Sequence, residues 1–175
     1  DAPVSGGEKG AYDGKLTIMC GGEKDVYEKA KKVMDAYSQE CTFMGSIGNG
    51  QLTKMANQIC IAGILQGLSE AINFAQNSEI DTDKMLKVIS KGAAGSWQLE
   101  NRGKTMAEDS FDFGFAVDWM RKDLKICLEE AETNGSSLPL VSLVDQFYKD
   151  IQLMNGGRWD TSSLIRRLNK YHSTN

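Results

Sequence analysis

The chain has 175 residues, 41% of them hydrophobic and 25% charged, with a formal net charge of −4. That length fits one full domain, or one domain and part of another, with enough apolar side chains for a real core. The acidic balance leaves no basic footprint for nucleic acid, and no apolar run reaches the length needed to span a bilayer, so nucleic-acid binders and membrane-spanning proteins are excluded.

The segment that opens the chain, "DAPVSGGEKGAYDG", reads as a Gly-rich loop. "KLTIMCGG", Lys15 to Gly22, alternates apolar and polar residues and ends in glycines, as a strand does. Asp25 to Gln39 places Val26, Ala30, Val33, Met34 and Tyr37 on one helical face with lysines opposite. "CTFMG", Cys41 to Gly45, is a short second strand. Residues 1–47 therefore read as strand–helix–strand. Gln51 to Asn77 reads as one long helix, close to 40 Å at about 1.5 Å per residue. From Ile59 to Leu65 it is apolar around nearly its whole circumference, the mark of a buried helix. Asp81 or Thr82 can cap the next helix, which carries Met85, Leu86, Val88 and Ile89 and stops at Gly92. Ser96 caps a short helix, "SWQLENR". Val117 to Thr133 turns Met120, Leu124, Cys127, Leu128 and Ala131 inward, and Pro139 opens a helix that runs to Met154. "GGRWDTSSLIRRL" offers a glycine stop and then Asp160 as a fresh N-cap. Residues 48–175 are thus read as all helix.

The four cysteines, Cys20, Cys41, Cys60 and Cys127, form no C-x-x-C pair, and each stands among apolar neighbours. They read as reduced core thiols of a cytosolic protein, not as a disulfide frame or a metal site. The only histidine, His172, is three residues from the end. A Ser-His-Asp or Cys-His mechanism needs a histidine in the core, so proton transfer falls to Lys, a carboxylate or Tyr. The chain begins Asp-Ala-Pro, with neither an initiator Met nor a signal peptide, and is expected to be a fragment.

In the first turns of the long helix the polar residues are Gln51, Thr53, Lys54, Asn57 and Gln58, and the next polar side chain is Gln66. Lys54, Asn57 and Gln58 share a face at spacings of three and four. A lysine held against apolar surface has its charged form disfavoured and becomes usable as a general acid or base, with a neighbouring amide to hold a substrate oxygen. The plainer reading has Lys54 snorkelling from the helix end into solvent. Pro3 and Ser5-Gly6-Gly7 offer successive backbone N–H groups and one hydroxyl, a nest for an anion; the plainer reading is a flexible turn. "GNG", Gly48 to Gly50, has Thr53 where a third glycine should stand and is rejected as a dinucleotide phosphate loop. Lys122 and Asp123, downstream of Phe115, read without further information as part of a solvated helix face.

"DAPVSGGEKGAYDGKLTIMCGG", "GNGQLTKMANQ", "GSWQLENRG" and "FAVDWMRKDL" together resemble the C-terminal part of the β-hydroxyacid dehydrogenases. These include 3-hydroxyisobutyrate dehydrogenase, tartronate semialdehyde reductase and the glyoxylate/succinic semialdehyde reductases. The resemblance implies a mainly α fold. Residues 48–175 would be an all-helical substrate-binding and dimerisation domain like the C-terminal domain of 6-phosphogluconate dehydrogenase. Residues 1–47 would be the remnant of a Rossmann dinucleotide-binding domain whose G-x-G-x-x-G turn is absent. It implies hydride transfer between NAD or NADP and a small β-hydroxy acid or its semialdehyde, with Lys54 as general acid/base. Ser5, Gly6 and Gly7 would bind the substrate carboxylate, and Phe115, Lys122 and Asp123 would close over the nicotinamide end of the cofactor. Many members carry Asn four residues after the lysine; here that position is Gln58, and Asn57 lies three after, so either amide is the candidate substrate contact. The decarboxylating cousins have a His-Asn pair after the lysine, and Asn57-Gln58 speaks against that chemistry. The implied partners are a small carboxylate and a second copy, in a homodimer or homotetramer, in the cytoplasm or alternatively an organellar matrix. The chain alone is expected to be inert. The competing reading is a non-catalytic helical association module derived from the family.

Overall fold

The computed structural model of the chain describes residues 1–169; His172, on which the exclusion of histidine chemistry turns, lies outside them. The fold is mainly helical, with one small sheet near the start. β1 (Val4–Ser5) leads into α1 (Gly7–Tyr12), β2 (Leu16–Gly21), α2 (Lys24–Met34) and β3 (Ser38–Gly45). α3 (Asn49–Asn77), α4 (Thr82–Ile89), α5 (Trp97–Ala107), α6 (Val117–Asn134) and α7 (Pro139–Leu153) follow, then a 3₁₀ turn (Thr161–Leu164) and α8 (Ile165–Asn169). No helix among the described residues is long and apolar enough to cross a membrane. By internal packing the chain divides into Asp1–Gln58 and Ile59–Asn175, the division falling inside α3.

In the first unit the strand order is β1-β2-β3, with β1 antiparallel and β3 parallel to β2. α2 makes the crossover that a parallel pair requires. Leu16, Ile18, Cys20, Met34 and Cys41 form the core, with Tyr27 packed against it and its hydroxyl donating to the Cys41 carbonyl at 2.8 Å. Three expectations change here. The helix read over 25–39 ends at Met34, because Ser38 and Gln39 already belong to the strand that pairs with β2. The Gly-rich opening is not a loop throughout, because Val4 and Ser5 pair with Ile18 and Thr17 and the chain then winds into α1. And α2 does not bury the face read from its valines: Met34 is 8% exposed, but Val26 is 58% and Val33 67% exposed. Tyr27 and Met34 face the sheet, and each valine precedes one of them, about 100° round the helix. Three strands are too narrow a floor to cover both edges of so wide an apolar face.

In the second unit, Ala62 and Leu65 of α3 pack with Val117, Met120 and Leu124 of α6 and Val141, Val144, Tyr148 and Ile151 of α7. Leu68 and Ile72 pack with Leu86 of α4, Leu99 and Met106 of α5, Phe111 and Ile165. The helix starts are set locally, as read: the Asp81 carboxylate accepts from the Lys84 N–H (3.0 Å), the Ser96 hydroxyl from Leu99 (3.1 Å) and Asp160 from Ser162 (3.0 Å). α5 is longer than expected. It runs on through Gly103, which is buried against α4, where a Cβ would come 3.0 Å from Leu86 Cδ2.

α3 is not buried all round. Ile64 is 39% and Phe74 68% exposed, and Cys60, expected in the core, is exposed too. A helix apolar on every side needs neighbours on every side, and the other helices cover only part of it. With Leu140, Leu143 and Trp119 also about half exposed, the chain is expected to associate with itself. Size-exclusion chromatography with light scattering should give a mass above that of one chain; a clean monomer at high micromolar concentration would refute this.

Candidate active site

The start of α3 is held by a residue from the other end of the first unit. The Asp1 carboxylate accepts from the Gly48 N–H at 2.7 Å and from the Gln51 N–H at 2.8 Å. It therefore satisfies helix N-terminal donors and places negative charge at the positive end of the helix dipole. The approach is close enough to demand glycine: a Cβ on Gly50 would lie 2.6 Å from Asp1 Oδ2 and would overlap the Met19 carbonyl. "GNG" is thus a close-packing device: its first amide, with that of Gln51 just after it, is taken by a carboxylate of the same chain, and the Asn49 N–H goes to the Ser46 carbonyl at 3.1 Å.

Lys54 stands one turn further on, half-buried. Asn57, also half-buried, donates from Nδ2 to Gln58 Oε1 at 2.9 Å, and Gln58 is only 2% exposed. The amides following the lysine act as a unit, with the buried Gln58 fixing the orientation of the more accessible Asn57. Ser5 is half-buried at the end of β1. Gly6, at φ +127°, is the N-cap of α1, and Gly7 is exposed with nothing within 4 Å of where a Cβ would sit. The turn is open on that side, and the first amides of α1 lie beyond intrahelical reach.

Phe115, Lys122 and Asp123 belong to the second unit. Lys122 Nζ lies 2.6 Å from Asp123 Oδ1, the lysine side chain 59% and the aspartate 15% exposed. The Phe115 N–H donates to Asp160 Oδ2 at 2.9 Å, and its carbonyl accepts from the Thr161 N–H at 2.8 Å. Asp160, read from sequence only as a helix cap, is 2% exposed and also pairs with Arg102 (3.4 Å). Arg121 makes a two-pronged contact with Asp145 at 2.9 and 3.0 Å that ties α6 to α7.

Three buried groups are unsuited to proton transfer. The Tyr148 hydroxyl is fully buried, donates to the Thr161 carbonyl at 3.0 Å, and burial pushes its pKa well up. Burial pushes the Cys20 and Cys127 thiols up to about 11, which keeps them protonated and poor nucleophiles.

Residues 48–168 match the family model for the NAD-binding domain of NADP-dependent 3-hydroxyisobutyrate dehydrogenase, and residues 1–45 match that for the NAD-binding domain of 6-phosphogluconate dehydrogenase. The chain belongs to the β-hydroxyacid dehydrogenase family. The cofactor class of both matched models is NAD or NADP. Among its relatives, an uncharacterised oxidoreductase of Shewanella frigidimarina is 58% identical over 99% of this chain and 60% of its own length. The 2-hydroxy-3-oxopropionate reductase of Escherichia coli is 34% identical over 96% of this chain and 58% of its own. The crystal structure of a 3-hydroxyisobutyrate dehydrogenase from Salmonella typhimurium superposes with a TM-score of 0.85 at 30% identity, covering 95% of this chain and 59% of that one. The chain thus spans about 60% of the length of the curated relatives it matches.

Proposed function

We propose that this chain is the catalytic and substrate-binding part of an oxidoreductase that moves a hydride between NAD(P) and a small β-hydroxy acid or its semialdehyde. Residues 1–47 would close the dinucleotide-binding domain, and 48–175 would form the helical substrate domain, through which copies associate as a homodimer or homotetramer. The observation that carries the reading is the half-buried Lys54 followed on the same helix face by an amide pair locked by its own hydrogen bond. The nicotinamide, when bound, supplies the hydride chemistry. The chain's share is the proton and the geometry. Lys54 takes the proton from the substrate hydroxyl during oxidation and returns one to the same oxygen during reduction. Asn57 holds that oxygen, and Gln58 holds Asn57. The Ser5 hydroxyl and the Gly6 and Gly7 amides donate to the substrate carboxylate, which aims the carbinol carbon. The residues assigned to the cofactor fit its nicotinamide end: a half-buried aromatic ring, Phe115, anchored on both sides of its backbone, and the Lys122–Asp123 ion pair. Free thiols, three of them buried, suit the reducing cytoplasm or an organellar matrix.

The carboxylate assignment has its own test. In the full-length enzyme, Ser5→Ala should raise KM for the acid by roughly 10- to 100-fold, the value of a hydrogen bond to a charged group, with kcat nearly unchanged. Equal turnover of the acid and its methyl ester would contradict it. Spanning about 60% of its relatives' length, the chain by itself is expected to show no calorimetric binding of NAD or NADP in the micromolar range; tight binding would mean that the cofactor site is misplaced.

A further inference from the structure

We propose that Arg102 and Asp160 are positioning residues for Phe115, a role that rests on the reading above in which Phe115 closes over the nicotinamide. The residues between α5 and α6 form neither helix nor strand, apart from the single bridge of Ala116 to Asp160, so something outside the segment must set its shape. That something is Asp160. Its backbone N–H donates to the Phe111 carbonyl at 2.9 Å, and its Oδ2 accepts from the Phe115 N–H at 2.9 Å. The Thr161 N–H then reaches the Phe115 carbonyl at 2.8 Å. Phe111 to Phe115 is therefore wrapped round one buried carboxylate. The wrap is tight at Gly114, where φ is +71° and a Cβ would overlap the Asp160 carboxylate and come 3.0 Å from Arg102 Nη2.

Arg102 holds the wrap from the other side. Its Nε lies 3.4 Å from Asp160 Oδ1, and its guanidinium plane covers both the Phe113 ring at 4.7 Å and the Trp97 ring at 5.1 Å. The two oxygens of Asp160 divide the work: Oδ1 serves Ser162 and Arg102, and Oδ2 serves Phe115. A carboxylate needed only to cap the Thr161–Leu164 turn would use the Ser162 contacts alone. The further contacts all converge on the segment that ends in Phe115. Trp97 and Arg102 come from "GSWQLENRG", a stretch to which the proposed chemistry assigns no role, and Arg102 meets Phe113 of "FDFGF", two residues before Phe115. Arg102 thus transmits the fixed position of α5 to the Phe115 backbone.

A double-mutant cycle on the full-length enzyme separates positioning from general stabilisation. NADH and NADPH dissociation constants are measured by fluorescence titration for Phe115→Ala, Arg102→Leu and the double variant, with thermal melts alongside. Each single change is expected to weaken the cofactor about tenfold, and in the Phe115→Ala background Arg102→Leu should add less than roughly twofold. Arg102→Lys, which keeps the charge for Asp160 but loses the flat stacking surface, should fall between wild type and Arg102→Leu; it replaces Arg102→Leu in the cycle if that variant does not fold. Independent, multiplying effects would overturn the inference, as would normal cofactor affinity in both Arg102 variants while Phe115→Ala is impaired. If Phe115→Ala itself leaves cofactor affinity unchanged, it is the assignment of Phe115 that fails, and the positioning role falls with it.

Discussion

Replacing Lys54 with alanine in the full-length enzyme should lower kcat by at least about 10²-fold, the scale of a lost general acid/base, with a much smaller change in KM. The substitution removes a flexible cation from inside a 29-residue helix and puts the best helix former in its place, so circular dichroism and melting temperature should hold. Lys54→Arg gives the sharper result. Arginine keeps the positive charge but gives up no proton near neutral pH, so a proton-transfer role predicts that it is nearly as slow as alanine. A purely electrostatic or anchoring role predicts that arginine restores most of the rate. Full activity in either variant would remove Lys54 from the mechanism and leave the half-buried amide pair of Asn57 and Gln58 as scaffold.

Asp160→Ala should strongly destabilise the second unit. The carboxylate is 2% exposed and accepts from the Phe115 and Ser162 N–H groups and the Ser162 hydroxyl while pairing with Arg102. Removing one partner of a buried pair costs about 3–5 kcal/mol, and because Arg102 remains 21% exposed and can rehydrate, the lower end applies. A loss of about 3 kcal/mol lowers the melting temperature by roughly 10 °C in a chain of this size. Asp160→Asn keeps the side-chain acceptor for Phe115 and should cost clearly less. Urea unfolding followed by tryptophan fluorescence reads this unit directly, since Trp97, Trp119 and Trp159 all lie within it. A loss below about 1 kcal/mol would mean that water replaces the carboxylate and that Asp160 is an ordinary cap.

Much of this protein was legible residue by residue. The starts at Asp81, Ser96, Pro139 and Asp160 are read from sequence because a cap acts on an amide two or three positions away and a proline acts on its own φ. The inward stripe of α6 follows from the 3.6-residue period, and Met120, Leu124, Cys127 and Ala131 are buried as that period requires. The confinement of Lys54, Asn57 and Gln58 to one end of an apolar helix is likewise a property of spacing alone. It marks the candidate site, and "DAPVSGG", "GNGQLTKMANQ", "GSWQLENRG" and "FAVDWMRKDL" in that order point to the family.

What the sequence could not decide depends on residues far apart in the chain. Glycine is ambiguous by itself. Gly103 lies inside α5 as a contact for Leu86, and Gly50, in a "GNG" whose spacing already rules out a dinucleotide loop, makes room for Asp1 and Met19. Nothing local to Asp1 shows that its carboxylate seals the amides of Gly48 and Gln51, and nothing local to Asp160 shows that it holds Phe115. Hydrophobic periodicity reports how wide an apolar face is, not how much of it finds a neighbour, so Val26, Val33 and Ile64 read as core and are exposed. The sequence by itself determined the longer helices, their starts and the polar end of α3, because those depend on interactions within a few residues. The tertiary structure alone decided which apolar faces are covered, which glycines are contacts and which carboxylates hold distant backbone, because burial and long-range hydrogen bonds arise only when distant elements meet.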